Sequence, residues 1–331
     1  MTATIKDIAK QANVSVATVS RVLNGRDGFF SKKTEKKIKK IAADLGYQKN
    51  LNATELVTKK GNTIGVIVSA TKTNFANHII EGIQAETFKH DLSVIIVFAG
   101  ENDKMLQKKA LKTITERPIK GLLILGIELS EENLQILKTK DVPFLFLSTE
   151  FPKQTAPFVT TNNFQLTYKA AKFLLNKGYK KIGLAGIDVD SYMGQQRVEG
   201  YSSALKESQI HILPYWIQPG MFTYQDGIKA MKNYYRESPL EAVLSGSDYI
   251  ALGIMNQARN YGLKVPQDLG VMSMDGTELT RIAQPEITSV VQSFYEMGVQ
   301  GARLLQTKLS NSFYKYVDFK IVEGSSTCQL R

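Results

Sequence analysis

Apolar and polar positions alternate in blocks along most of the chain. From Thr63 onward, short apolar runs are separated by segments long enough to form helices. The clearest runs are TIGVIVS (63–69), LSVIIVFA (92–99), KGLLILG (120–126), PFLFLS (143–148), KKIGLAG (180–186), EAVLSG (241–246) and LGVMSMD (269–275). This alternation predicts parallel sheets covered by helices, and the nearly continuous apolar character suits strands that are buried on both faces.

The series starts again near residue 162, at NNFQLTYKAAKFLLNKGY. Because there are more apolar runs than one simple α/β lobe would contain, we predict two similar α/β lobes with a crevice between them. Ligands of such folds bind at the carboxyl ends of the parallel strands. A binding site is therefore expected where the apolar runs end.

Residues 1–60 follow a helical period instead. Thr4, Ser15 and Ser31 are suited to cap three helices, and Asp7 can complete a capping box at the first. The apolar positions that recur at helical spacing are Ile5, Ile8, Ala9, Ala12, Val19, Val22, Leu23, Ile38, Ile41, Ala42 and Leu45. The pattern predicts a small all-α unit in which the second helix follows the first after a tight turn, as in a helix-turn-helix.

The positive charge of the chain is concentrated in this segment. Residues 1–60 hold 13 Lys or Arg and 5 Asp or Glu, which gives +8 of the total net charge of +11. A basic head on a nearly neutral body points to a polyanion as partner. A solvated lysine face at KKTEKKIKK is the alternative.

The second predicted helix carries side chains suited to DNA. In a helix-turn-helix this helix enters the major groove with its N-terminal residues against the base edges. Arg21 can pair with guanine, while Val16 and Ala17 can contact a thymine methyl group. The short polar side chains suited to phosphates are Ser15, Thr18, Ser20 and Asn24. An ordinary three-helix bundle with a small polar face stays open as the alternative.

The run T-I-K-D-I-A-K-Q-A-N-V-S-V-A-T-V-S-R-V-L-N-G, residues 4–25, resembles the N-terminal signature of the LacI/GalR bacterial transcription regulators without a gap. The resemblance implies a homodimer that places two recognition helices on a pseudo-palindromic, double-stranded operator DNA. No leucine-heptad tail follows, so a dimer is expected and not a tetramer.

The resemblance also implies a hinge after the third helix, with Tyr47 contacting the DNA backbone. In the family this segment becomes a short helix on operator DNA, and a leucine from each subunit wedges into the minor groove. The matching residues here are Ala53 and Leu56. Lys49 stands where a proline is usual, and Glu55 places an acid near the phosphates.

The body of the chain resembles the LacI/GalR effector domain in the phrases NKGYKKIGLAG, RVEGY and SSTCQLR. In that family the chain crosses between the lobes three times. The resemblance therefore implies a helix-turn-helix domain (1–48), a hinge (49–60) and an effector-binding and dimerisation domain (61–331), with lobes of about 61–161 plus 291–320 and 162–290 plus 321–331.

The same resemblance, with the strand-end rule, gives the expected effector-binding residues. Arg197 in RVEGY can fork to hydroxyls or a carboxylate, and Asp275 after GVMSM can accept sugar hydroxyls. Asp248 is a further candidate, with a helix cap as the alternative. The expected pocket walls, each of which could instead be core, are Phe75, Phe222 and Phe294.

Four positions depart from the residues that relatives often carry: Ser69, Ser148, Asn162 and Ser247. The expected pocket keeps its arginine and one aspartate but has fewer carboxylates than a typical pyranose site. A sugar or phosphosugar effector is expected. A nucleoside, another small polar metabolite and a protein corepressor remain open.

Catalysis is not expected, because the phosphate-cradling patterns G-x-G-x-x-G and G-x-x-x-x-G-K-S/T and the elbow G-x-S-x-G are absent. No cofactor or metal is expected either, since His78, His90 and His211 are scattered and Cys328 is the single cysteine. No apolar run approaches the ~20 residues of a membrane span, and the N-terminus lacks the apolar centre of a signal peptide. The cytoplasm is the expected location.

Two other functions are compatible with parts of the chain. A sugar-binding transport protein would explain the two lobes but not the basic head. A catabolite-control regulator, with a phosphorylated carrier protein as corepressor, would use Tyr295 and Arg303 on the helix YEMGVQGARLLQTKL. Support of the dimer is the alternative role of these two residues.

Overall fold

The structure of the chain is a computed structural model. It describes residues 3–23, 25, 29–47, 61–69, 74–100, 103–140, 142–152, 155–237, 239–307, 310 and 312–330. The chain divides into two compact units, Met1–Lys60 and Gly61–Arg331.

The first unit contains the three predicted helices: α1 (Ile5–Ala12), α2 (Val16–Leu23) and α3 (Lys32–Asp44). The capping box at α1 is present, since the Thr4 N–H donates to Asp7 Oδ2 over 2.9 Å and the Asp7 N–H donates to Thr4 Oγ1 over 3.4 Å. Ser15 Oγ accepts the Thr18 N–H at the start of α2, over 3.1 Å. The buried core of the unit is Ile8, Ala9, Ala12, Val19, Val22, Ile38 and Ala42.

The turn between α1 and α2 depends on one residue in the left-handed region. Asn13 has a φ of 58° and ends α1, and the Val14 N–H then donates back to the carbonyl of Ala9 over 3.1 Å. Asparagine adopts this conformation more readily than most residues. Lys37 of α3 donates to the carbonyl of Ala12 over 2.9 Å, so a lysine of the basic run binds the exposed end of α1.

The second unit alternates strands and helices. Its strands are β1 (Thr63–Val68), β2 (Ser93–Phe98), β3 (Ile119–Leu125), β4 (Phe144–Leu147), β5 (Phe158–Thr161), β6 (Ile182–Ile187), β7 (Ile217–Pro219), β8 (Ala242–Ser245), β9 (Gly270–Ser273), β10 (Thr288–Gln292), β11 (Tyr314–Val317) and β12 (Phe319–Val322). Its helices are α4 (Phe75–Phe88), α5 (Lys104–Thr115), α6 (Glu131–Lys138), α7 (Asn163–Asn176), α8 (Tyr192–Glu207), α9 (Tyr224–Glu237), α10 (Asp248–Asn260), α11 (Leu279–Ile282) and α12 (Phe294–Leu304), with a 3-10 turn at Pro214–Trp216.

The strands form two sheets, one in each lobe. The first has the order β11-β5-β4-β3-β1-β2 and is parallel throughout. The second has the order β12-β10-β9-β8-β6-β7, and in it β12 runs antiparallel to β10. The α/β fold with two lobes is confirmed.

The chain crosses between the lobes near Asn162, at Ser293 and at Asp318. The segment expected at about 291–320 is two residues longer at each end than the part of the chain that lies in the first lobe. Residues 291–292 complete β10 and residues 319–320 begin β12, so both pairs belong to the second sheet. The reason is that strand pairing, not the apolar pattern, sets where each crossing occurs.

Helices α4 and α12, which belong to the first lobe, pack against each other through glycines. A Cβ on Gly298 would lie 2.0 Å from the carbonyl oxygen of Ile79, and one on Gly82 would lie 2.1 Å from that of Tyr295. The two backbones therefore approach as closely as glycine allows. No helix in the described part of the chain is long and apolar enough to cross a membrane.

Candidate functional site

Helix α2 presents a row of exposed side chains opposite its buried positions. Val19 and Val22 are buried in the core of the unit, while Val16, Ala17 and Arg21 are exposed. Ser15 and Thr18 form a hydroxyl pair over 2.9 Å at the start of the helix. The expected base-reading residues thus lie on one accessible face, as a recognition helix requires.

Arg21 has an aromatic neighbour that the sequence did not suggest. Its guanidinium carbon lies 4.8 Å from the centroid of the exposed Phe29 ring. A cation over a ring at an exposed site gains about 0.5–1 kcal/mol. The contact restricts the guanidinium without using its N–H donors, which remain able to pair with a base edge.

Of the other residues expected to contact DNA, the structure describes some and not others. Ser20 is half-buried on α2. Tyr47 packs partly against the core of the helical unit, and its N–H donates to the carbonyl of Ala42 over 2.9 Å. Asn24, Ala53 and Leu56 lie outside the described residues, so their roles stay predictions.

The second unit contains a cleft at the carboxyl ends of strands from both sheets. It encloses about 1030 Å³ of space not filled by atoms, part of it open to solvent. Most of its lining is apolar with a few polar groups, as in small-molecule sites. Eight of the ten expected effector residues line it: Ser69, Phe75, Ser148, Arg197, Phe222, Ser247, Asp275 and Phe294.

Ser69 directly follows β1 in the cleft wall. The residue is 5 % exposed, and its Oγ has no hydrogen-bond partner among the residues that the structure describes. A buried hydroxyl left unpaired costs about 1–3 kcal/mol. The position suits a ligand that supplies the missing hydrogen bond.

Aromatic rings form the walls on either side. Phe75 and Phe294, from helices α4 and α12, are tilted against each other with centroids 5.3 Å apart. Phe222 lies under the Arg197 guanidinium at 5.6 Å. Phe222 also has a φ of 61°, an uncommon conformation for a bulky residue, and its carbonyl accepts a hydrogen bond from Ser247 Oγ over 2.9 Å. Backbone strain of this kind is frequent at ligand sites.

Arg197 of α8 is held rigidly in the cleft floor. Its Nε donates to Asn163 Oδ1 over 2.9 Å and its Nη1 donates to the carbonyl of Gly246 over 3.2 Å. The side chain is 5 % exposed, and burial lowers the pKa of its guanidinium, while the nearby carboxyl groups of Asp275 and Glu150 act in the opposite direction. Its remaining N–H groups are the donors available to a ligand.

Asp275 faces the same floor after β9 and is 7 % exposed. Burial, and then the charge of Asp248, raise the pKa of the Asp275 carboxyl to about 8, against the opposing effect of Arg197. The Asp248 N–H lies 3.4 Å from Asp275 Oδ2. Asp275 therefore holds a proton at neutral pH in the free protein and can both donate and accept.

Two expected effector residues, Asn162 and Asp248, are not among the residues that line the cleft, and their role as effector contacts stays a prediction. Asn162 caps α7, because its Oδ1 accepts the Gln165 N–H over 2.9 Å. Asp248 is buried beneath the cleft and binds the loop after β9, accepting from Ser273 Oγ over 2.6 Å and from the Thr277 N–H over 2.7 Å. The cap of α10 is Ser247 and not Asp248. Asn162 accepts from a nearby backbone donor, whereas Asp248 accepts from residues far along the chain, and strand position alone reveals neither use.

Several lining residues were not expected from the sequence: Gly100, Glu128, Thr149, Asp188, Ser191, Met193, Met221 and Gln292. Glu128 and Asp188 come shortly after β3 and β6, so applying the strand-end rule to every strand would have found them. Behind the lining, Asn163 and Glu150 support Arg197, and no local signal marks them. Among the described residues, no group of His, Cys, Asp and Glu could hold a metal ion.

A helical unit with an exposed recognition-type helix, joined in one chain to a two-lobed unit with a small-molecule cleft, defines a ligand-controlled DNA-binding regulator. Comparison with known proteins agrees. Residues 4–50 match the family described as bacterial regulatory proteins, lacI family, and residues 61–317 match the periplasmic binding proteins and sugar binding domain of LacI family.

Similar proteins cover nearly the whole chain. Catabolite control protein A of Priestia megaterium is 32% identical over 326 residues, which is 98% of this chain and 96% of the relative. The ribose operon repressor of Haemophilus influenzae is 31% identical over 330 residues, 99% of this chain and 98% of the relative. A transcription regulator from Lactobacillus plantarum of known structure is 39% identical, with a TM-score of 0.75 over 81% of this chain and 100% of that one.

The Lac repressor dimer bound to operator and the anti-inducer ONPF shares the fold, with a TM-score of 0.87, 24% identity and coverage of 99% of this chain and 100% of that one. The chain belongs to the LacI family of bacterial regulatory proteins, as its sequence suggested. It is a DNA-binding transcriptional regulator.

Proposed function

We propose that the protein is a repressor of carbohydrate-utilisation genes, that it binds a pseudo-palindromic operator as a homodimer, and that a small sugar in the cleft controls its affinity for DNA. The observation that carries the proposal is the cleft itself. It brings the unpaired hydroxyl of Ser69 on the first lobe together with Arg197 and Asp275 on the second. A hydroxyl-rich ligand can bond to all three at once.

The names of the relatives support the choice of a sugar and of repression. One of the named relatives is a ribose operon repressor, and another, 32% identical over 98% of this chain, is the repressor CytR of Escherichia coli. We propose a regulatory and not a catalytic role for this chain as well. Because its partner is operator DNA, its place of action is the cytoplasm.

The mechanism follows from where the cleft residues are anchored. Ser69 and Phe75 belong to the first lobe and Arg197 and Asp275 to the second, so a ligand that contacts both lobes changes the angle between them. We propose that this change orders or melts the hinge of residues 49–60, where Ala53 and Leu56 would enter the minor groove. Effector binding can shift operator affinity only by the ratio of its affinities for the two states.

The alternatives are less well supported. A transport protein does not need the helical unit that matches the lacI family over residues 4–50. For a protein corepressor, the expected contact residue Arg303 already donates to the buried Glu86 over 3.0 Å. Tyr295 is exposed and could serve either a partner or a second subunit.

Fluorescence anisotropy on a labelled pseudo-palindrome with a central CG step tests the proposal, with random DNA and a salt series beside it. A panel of sugars should contain at least one member that shifts the operator affinity. If the protein prefers no palindrome but still binds a sugar, the repressor assignment is wrong and a binding protein is the better description.

Arg21→Ala should cost about 1–3 kcal/mol at one base position, since the lost contact is a bidentate pair with guanine. The matched control is Arg236→Ala, because Arg236 pairs with its neighbour Glu237 on the surface of the other unit. Affinity should be measured on operators that carry single base changes. If Arg21→Ala weakens all sequences equally, Arg21 is a phosphate contact.

A further inference from the structure

The described lining of the cleft contains a single cation. Arg197 is accompanied there by two carboxyl groups, those of Glu128 and Asp188, and by Asp275, whose raised pKa favours its protonated form. Sites for phosphate groups usually provide several donors with uncompensated positive charge. The charge balance of this cleft is the opposite.

Arg197 already has a counter-charge, and it comes from the other lobe. Asn163 accepts the Nε–H of Arg197 through Oδ1 and donates through Nδ2 to Glu150 Oε2 over 3.0 Å. The second oxygen of Glu150 accepts the hydroxyl of Tyr316 over 2.7 Å. Glu150 and Tyr316 lie on the first lobe, whereas Asn163 and Arg197 lie on the second, so this chain of hydrogen bonds crosses the lobe boundary.

Both carboxyl oxygens of Glu150, which is 6 % exposed, accept a hydrogen bond in this network, one from Asn163 and one from Tyr316. Asn163 Nδ2 also donates to the carbonyl of Thr161 over 3.1 Å. The carboxyl groups of Asp275 and Glu150 both act on Arg197, and Glu150 is the one that hydrogen bonds connect to it, through Asn163. The geometry therefore assigns Glu150 to Arg197 as a counter-charge from the other lobe.

The mouth of the cleft adds further negative charge. Glu128 follows β3 on the first lobe and Asp188 follows β6 on the second, and both line the cleft. Burial, and then the charge of Asp188, raise the pKa of the Glu128 carboxyl. The two acids repel each other, and hydroxyl donors from a ligand between them would relieve that repulsion, whereas a phosphate would add to it.

We propose that the effector is an uncharged, hydroxyl-rich molecule, an unphosphorylated sugar, and that Glu150 is a positioning residue that sets this preference by neutralising Arg197 through Asn163. The inference rests on the proposed function, which places an effector in this cleft. It goes further because it excludes phosphosugars as effectors.

The wild-type protein provides the first test, by calorimetric titration with matched pairs: glucose with glucose 6-phosphate, and ribose with ribose 5-phosphate. In any pair that binds, the phosphorylated member should bind about tenfold or more weakly, because its buried charge lacks a partner. Inorganic phosphate should give no saturable rise in the melting temperature. Equal or tighter binding of a phosphorylated member, or saturable stabilisation by phosphate, overturns the proposal without any variant.

Glu150→Gln provides the second test, since it removes the charge and keeps the shape. With Arg197 unbalanced, inorganic phosphate should now stabilise the protein saturably, and the double variant Glu150→Gln, Arg197→Met should lose this response. Tyr316→Phe removes a hydrogen bond from Glu150 but not its charge, so it should exclude phosphate as the wild type does. Glu132→Gln, which frees an exposed lysine partner, is the surface control.

A Glu150→Gln protein that is folded and responds to phosphate like the wild type would show that Glu150 does not set the preference. If Glu150→Gln does not fold, the wild-type titrations alone decide. If neither the sugars nor the phosphosugars bind, the proposed effector class is refuted. The response to inorganic phosphate then still tests, as a separate question, whether the charge of the cleft excludes phosphate. Operator affinity is measured in parallel, so that loss of DNA binding is not mistaken for loss of selectivity.

Discussion

Asp275→Asn replaces a buried, protonated carboxyl with a neutral group of the same shape, and its effect on stability should depend steeply on pH. The pKa of Asp275 is raised from 3.8 to about 8 in the folded protein. Between these values the folded state binds more protons than the unfolded chain, so the stability of the wild type falls as the pH rises. The slope is about 1.4 kcal/mol per pH unit and ends near pH 8, above which both states are ionised.

Asparagine does not titrate, so the variant should lack this loss. For a unit of this size, about 1.4 kcal/mol corresponds to roughly 2–4 °C in melting temperature. Relative to the wild type, Asp275→Asn should therefore gain about 2–4 °C for each pH unit between pH 5 and pH 8, and nothing further above.

The assay is thermal denaturation followed by circular dichroism at each pH from 5 to 9. Asp190→Asn is the matched control, since Asp190 is exposed in the loop between β6 and α8. Its curve should run parallel to that of the wild type. If the Asp275→Asn curve is also parallel, Asp275 is ionised in the folded protein and its proposed role as a donor is wrong.

Three further changes test other parts of the molecule. Arg197→Ala should abolish the response to the effector and leave operator binding intact in anisotropy titrations; loss of folding instead would make the residue structural. Gly298→Ala should destabilise the second unit by about 2 kcal/mol or more in urea unfolding, because its Cβ would meet the Ile79 carbonyl at 2.0 Å, and an unchanged midpoint would contradict the close packing. Glu86 has its pKa lowered from 4.5 to about 2, first by the hydrogen bond from Arg303, so its stabilising effect is present above pH 4.5 and is lost as the pH falls towards 2. Glu86→Gln should remove that acid limb from a plot of stability against pH, and an unchanged limb would assign it to other carboxylates.

Features that depend on near neighbours in the chain could be predicted from the amino-acid sequence. Helix caps at Thr4, Ser15 and Ser31 act on backbone donors within the first helical turn, so their positions can be predicted from spacing alone. Strands buried on both faces show as continuous apolar runs, which predicted β1, β3 and β6. The rule that parallel strands bind ligands at their carboxyl ends then brought most of the expected effector residues to the cleft.

Shorter strands were harder to predict. Strand β5 contains buried threonines, and strands β11 and β12 contain lysine and partly or fully exposed positions, so no continuous apolar run marks them. Their pairing partners lie far along the chain, as in the pairing of β11 with β5. Where the chain crosses between the lobes is therefore set by pairing across the sheet, which local sequence does not encode.

The electrostatics of the cleft depend on contacts that form only when the chain folds. Asn163, Glu150 and Tyr316 are polar residues of ordinary appearance in the sequence, and they act on Arg197 because folding joins two lobes at that point. The raised pKa of Asp275 likewise arises from burial beside Asp248, whose own carboxylate is used by the loop after β9. The sequence shows which residues reach the ends of the strands. Which of those residues carry a charge depends on burial and on contacts between distant segments, because both depend on distances in space and not along the chain.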